Sequence, residues 1–172
     1  MPYTSMPSPR PSLWFNDNAE EAINFYISVF GDGELLQAAR MPEGGPAPAG
    51  TFLAGEFRLR DQVLAAMNGG PMFTFNEAVS LVIDCKDQAE VDHFWNGLIA
   101  DGGEESQCGW LKDKFGLSWQ VIPNRLIELL VDPNPARSSA AMQAMLQMHK
   151  LVIADLEAAA DAAAPTTTSP VI

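Results

Sequence analysis

The chain runs twice through the same order of elements, and this repetition constrains its fold more than any other feature. Ser12-Leu13 is answered by Ser80-Leu81, and Glu21-x-x-x-Phe25-Tyr26 by Glu90-x-x-x-Phe94-Trp95. Phe30-Gly31-Asp32-Gly33 is answered by Ile99-Ala100-Asp101-Gly102. The offset is 68 residues before the helix and 69 after it, as expected for one residue inserted in a turn. A strand, helix and three strands cannot bury their sheet alone, so two such units pair their sheets and leave a cleft between curved surfaces.

Local patterns place the elements. In the first half, an apolar run at 13–15 precedes Asn16-Asp17-Asn18, whose side chains suit a turn and a helix N-cap. Ala22, Ile23, Tyr26, Val29 and Phe30 recur at helical spacing until Gly31-Asp32-Gly33 stops the helix. Strands are predicted at 34–40, 51–59 and 62–68, with a Pro- and Gly-dense loop at 41–50 and a hairpin turn at Arg60-Asp61. The second half repeats this with a strand at 78–83, a helix at 88–100, and strands at 105–111 and 117–122. From Asn124 the pattern turns helical. A short helix carries Leu126, Ile127, Leu129 and Leu130, and Asn134-Pro135 then start a longer one. Met142, Met145, Leu146, His149, Val152 and Leu156 form the longer helix's apolar stripe. The expected division is a mobile segment at 1–10, a first module at 11–77, a second at 78–123, C-terminal helices at 124–162 and a mobile tail at 163–172.

Charge and composition narrow the partners. The formal net charge of −12 repels nucleic-acid phosphates and anionic lipid headgroups. The first residues, MPYTSMPSPRPS, lack the apolar core of a signal peptide, and no run of about 18 apolar residues occurs, so a cytoplasmic location and no membrane partner are expected. Cys85 and Cys108 lie far apart, which suits reduced thiols packed in the fold.

Two stretches carry a family resemblance. Trp14-Phe15-Asn16 with Ala19-Glu20-Glu21-Ala22-Ile23-x-Phe25-Tyr26 is one. The more specific is Cys108-Gly109-Trp110-Leu111-Lys112-Asp113-x-Phe115-Gly116-Leu117-Ser118-Trp119-Gln120-Val121-Ile122-Pro123. Together they resemble the PhnB-like branch of the vicinal oxygen chelate superfamily, which includes glyoxalase I, bleomycin-binding proteins, fosfomycin-modifying enzymes and extradiol dioxygenases. The resemblance covers about residues 11–160. It implies an α+β fold of paired βαβββ modules, here with extra C-terminal helices, and usually a homodimer. Members of the branch often carry the name demethylubiquinone methyltransferase. A methyl donor of the adenosylmethionine type normally needs a Gly-rich turn between strand and helix, and no GxGxG or GxGxxG follows any strand here.

Catalysis in the superfamily generally relies on a divalent metal held by His, Glu or Gln. The resemblance puts the ligand positions at about Pro11 or Ser12, at 78–80 and at Gln120, and only Gln120 offers an oxygen ligand. His93 reads as a residue of the second helix and His149 as part of the last helix's stripe. No cofactor is predicted, and no family-type metal site is expected. Alternate strand residues would line the cleft, and the ligand-binding candidates are Trp14, Met67, Cys108, Trp110, Trp119 and Gln120. Lys112-Asp113 reads as a solvated or salt-bridged pair. The leading expectation is a metal-free protein that binds a small apolar or aromatic molecule. An enzyme of the same fold (a metal-dependent lyase, isomerase or transferase, or the methyltransferase of the usual name) is the alternative, and a protein acting by dimerisation or partner contact through its last helix is a third. The residues leave open whether any reaction is catalysed.

Overall fold

A helix that buries one stripe needs an apolar sheet face beneath it, and each half of the chain supplies one. The structure, a computed structural model, describes residues 9–163, so most of the two ends expected to be mobile lies outside the described residues. The chain divides into two compact units, the first ending at Phe75 and the second beginning at Asn76.

In the first unit the order is β1 (Ser12–Phe15), α1 (Ala19–Phe30), β2 (Glu34–Arg40), β3 (Phe52–Leu59) and β4 (Gln62–Asn68). The sheet order is β1-β4-β3-β2, with β1 parallel to β4 and the other pairs antiparallel. Strand alternation sends Leu13, Phe15, Phe57, Leu59, Leu64 and Ala66 to one face, where they are buried, and α1 covers that face with Ala22, Ile23, Tyr26 and Val29. Each such large apolar side chain contributes roughly 1.5–3 kcal/mol on burial. Gly31, at φ 76°, ends α1 in the left-handed conformation that glycine adopts without steric penalty. At the other end Asn18 makes no side-chain cap. Asn68, at the end of β4, accepts from Ala19 N at 2.8 Å instead, so the N-terminus of α1 is capped across the sheet.

The second unit repeats the plan with β5 (Ser80–Cys85), α2 (Gln88–Ile99), β6 (Glu104–Glu105), β7 (Trp110–Lys112) and β8 (Ser118–Pro123), in sheet order β5-β8-β7-β6. Here α2 is capped locally: Asp87 Oδ1 accepts from Glu90 N at 2.9 Å, and Glu90 Oε2 accepts from Lys86 N at 2.9 Å. Val91, Phe94, Trp95 and Leu98 pack towards Ile83, Leu111, Trp119 and Val121.

Two expectations need correction. The strand predicted at 105–111 is two short strands, β6 and β7, joined by a turn in which Cys108 and Gly109 take φ of 59° and 84°. The long final helix is two helices, which with a shorter one make α3 (Asn124–Leu130), α4 (Pro135–Met145) and α5 (Ile153–Ala162). The two departures have one cause. The turn presents Cys108 N and Gly109 N to the carbonyls of Met148 and His149, at 2.7 and 2.8 Å, which holds the α4–α5 connector out of a helix. Gln88 then clamps the connector's end, Nε2 donating to Leu151 O at 3.1 Å and Oε1 accepting from Ile153 N at 2.8 Å. Of the expected stripe, Leu156 is buried in one cluster with Ile122, Leu126, Leu129, Ala141, Leu151 and Ala160 and Met145 packs against it, whereas Met142 and Leu146 are exposed, because the break turns α4 and α5 onto different faces. No helix among the described residues is long and apolar enough to cross a membrane.

Candidate functional site

Each sheet has one face covered by its helix and one that is not, and the uncovered faces carry the polar and aromatic residues. In the second unit the ladder aligns Val82, Gln120 and Trp110 in one row and Ser80, Ser118, Lys112 and Glu104 in the next. Val82 is exposed and Trp110 and Gln120 are half-buried. Gln120 Nε2 donates to Ser80 Oγ at 2.8 Å, which fixes the amide and leaves its carbonyl oxygen for another donor. Beyond Gln120 the strand continues to Ile122, which the C-terminal helices bury.

The structure separates the six candidates. Trp110 and Gln120 face each other across β7 and β8 on the uncovered face. Trp119, next to Gln120 on the strand, points the opposite way and is 1% exposed, with its Nε1 donating to Asp113 Oδ2 at 2.8 Å. It is a core residue and leaves the set. Cys108 lies in the β6–β7 turn and not on a strand, half-buried beside the connector. In the first unit Trp14 and Met67 are register partners on β1 and β4, on the face that α1 does not cover. Trp14 Nε1 donates to Gly70 O at 2.8 Å, its ring meets Phe73 edge-on at 5.1 Å, and it lies so close over Gly69 that a Cβ there would come within 2.2 Å of Cε2.

The remaining polar groups have other work. Asp113, expected with Lys112 to be solvated or salt-bridged, is 3% exposed and organises the turn before β8, accepting from Phe115 N at 2.9 Å and Leu117 N at 3.1 Å through Oδ1. Its signal was available as Asp three residues before Gly116 in a tight turn. Lys112 forms an ion pair with Glu77. His149 sits in the connector and not on a helix, half-exposed, with Nδ1 3.5 Å from Glu105 Oε2 and Nε2 paired with Gln107 Nε2 at 2.7 Å. His93 is exposed on α2. Burial, with Glu90, Asp84 and Asp87 adding to it, pushes the Cys85 thiol up to about 12, so at neutral pH it is not a thiolate nucleophile.

The family described as 3-demethylubiquinone-9 3-methyltransferase matches residues 8–122. The chain belongs to this family. It is similar to a Bacillus cereus PhnB protein, described as a putative member of the same family, at 32% identity over 68% of this chain and 99% of that one, with a TM-score of 0.62. Two likenesses at lower identity show the fold alone. A Pseudomonas aeruginosa protein matches at 22% identity, TM-score 0.57, over 69% of this chain and 98% of that one. The fosfomycin resistance protein FosX from Listeria monocytogenes, solved with manganese(II) and a sulfate ion, matches at 14% identity, TM-score 0.51, over 74% of this chain and 97% of that one. Among curated protein sequences none matches. The α+β fold, two four-stranded mixed sheets with helices, is the fold these neighbours share.

Proposed function

We propose that this family member binds a small apolar or aromatic molecule on the uncovered face of its second sheet, without a family-type metal. The observation that carries this is the row Val82, Gln120, Trp110: exposed apolar area, a side-chain amide held by Ser80 and a half-buried indole, on the part of the sheet face that the C-terminal helices leave open beyond Ile122. Trp110 supplies a flat polarizable surface and Val82 apolar area, while the Gln120 carbonyl fixes the orientation of a ligand donor. Trp14 and Met67 offer the same kind of surface in the first unit.

The residues at the expected metal positions do not suit a divalent ion. Pro11 uses its carbonyl to accept from Ala65 N, and Ser80 and Gln120 are neutral and bonded to each other. Among the described residues no three His, Cys, Asp or Glu side chains come together as a ligand set. The methyltransferase name fits the site poorly as well. The turns from β1 to α1 and from β5 to α2 are Asn16-Asp17-Asn18 and Lys86-Asp87, with no glycine to let backbone close on a nucleoside cofactor.

The test is calorimetric titration with small neutral aromatic molecules, beginning with benzyl alcohol, on the native chain and on Trp110→Ala and Gln120→Ala. Saturable binding weakened about tenfold by Trp110→Ala is expected, a loss of about 1.4 kcal/mol. Absence of binding across the panel would sink the proposal. So would a stoichiometric manganese or zinc ion lost in Gln120→Ala, since a metal at about 100 times its dissociation constant stabilises the fold by about 2.7 kcal/mol in a melt.

A further inference from the structure

Next to the Trp110 row, at the β6–β7 side of the second sheet, lies a cavity of about 140 Å³ whose wall includes Glu77, Glu104, Glu105, Trp110, Lys112 and Ser118. That is too small for a whole drug-sized ligand, which occupies roughly 300–1,000 Å³, and large enough for a head group. Ser118 lines the cavity, and its Oγ, on a residue 1% exposed whose side chain is on the Lys112 face of the strand, is the one buried side-chain polar atom among the described residues with no hydrogen-bond partner. A buried hydroxyl without a partner destabilises the fold, and a ligand donor or acceptor placed there recovers that loss.

The charge around this hydroxyl selects the kind of group. Lys112, opposite Ser118 in the ladder, is paired with Glu77 and has Glu104 opposite it on β6, so two carboxylates surround one ammonium. Both hold the Lys112 ammonium in its charged form, the Glu77 contact most strongly. An anion would meet an already neutralised lysine and a second carboxylate. A cation would meet net negative charge in a recess of a chain that carries −12 overall.

Building on the binding role proposed above, we propose that the ligand is an amphipathic amine. Its ammonium enters the cavity, donates to Ser118 Oγ and faces Glu104, while its apolar or aromatic body lies over Trp110. The row spacing suits this, because Ser118 and Gln120 are two residues apart on one strand face, about 6.5–7 Å.

The experiment compares benzylamine with benzyl alcohol, which share the ring and differ in the charged head, by calorimetry on the native chain, Ser118→Ala and Glu104→Gln. The expected result is tighter binding of benzylamine by about tenfold, an advantage that shrinks several-fold in each variant and falls with added salt. Ser118→Ala should keep or raise the melting temperature, because it removes an unpartnered hydroxyl, so its effect on binding reads the site and not the fold. Equal affinity for the two compounds, with both weakened by Trp110→Ala, overturns the amine assignment and leaves the aromatic-binding role standing. An amine preference unchanged in both variants overturns the assignment to this cavity. Binding of neither compound overturns this inference together with the role on which it rests.

Discussion

At the scale of single residues, parity along a strand decides who can meet a ligand. Trp119 and Gln120 were both expected to line the cleft, yet consecutive strand residues point to opposite faces, and the buried indole went to the side that α2 covers. What holds it there is Asp113, whose two oxygens accept from one indole and two backbone N–H groups. Asp113→Ala would remove three hydrogen bonds next to the core. We expect it to lower stability by about 2–4 kcal/mol in denaturant melts and to shift tryptophan emission to the red. A loss below 0.5 kcal/mol would mean that the turn before β8 does not depend on this carboxylate. Gly69 is constrained by close approach in the first unit: a methyl there collides with the Trp14 ring.

At the scale of elements, helices and strands with local signals were legible and long-range devices were not. The helices over 19–30 and 88–99, the strands over 34–40 and 62–68 and the hairpin at Arg60 follow from spacing and turn chemistry, Arg60 taking φ 52° as a two-residue hairpin turn demands. The cap of α1 could not be read locally, since Asn68 reaches it from 49 residues away. The break between α4 and α5 was hidden for the same reason, because the groups that hold the connector out of a helix come from the β6–β7 turn and from Gln88. Gln88→Ala removes two of those bonds. It should cost about 1–2 kcal/mol and speed hydrogen exchange at residues 148–153 ahead of the sheet amides, and unchanged exchange there would show that the turn alone holds the connector.

At the scale of the molecule, charge shapes the response to acid. Carboxyls in both units are held below their usual range by close partners: Glu20 by Arg40, Glu77 by Lys112, Asp92 by Lys150, Glu105 by the Trp95 indole and Asp132 by the Asn134 backbone N–H. A group whose folded value is depressed adds stability above its unfolded value and loses it as pH falls through the folded one. The melting temperature should therefore fall as pH drops below the ordinary carboxyl values of 4.5 and 3.8, and Glu105→Gln should flatten part of that fall. A melting temperature that is flat or rising from pH 5 to pH 3 would contradict this. What the amino-acid sequence determined by itself was the duplicated strand and helix order, the family and the acidic character, since periodicity, turn residues and charge act within a few neighbours or simply add. Only the tertiary structure decided which side of each strand faces outwards, that Trp110 and Gln120 share a row, that Ser118 sits buried between Lys112 and Ser80, and where the last helix breaks. Those outcomes depend on register between strands and on hydrogen bonds between residues tens of positions apart, which no local pattern records.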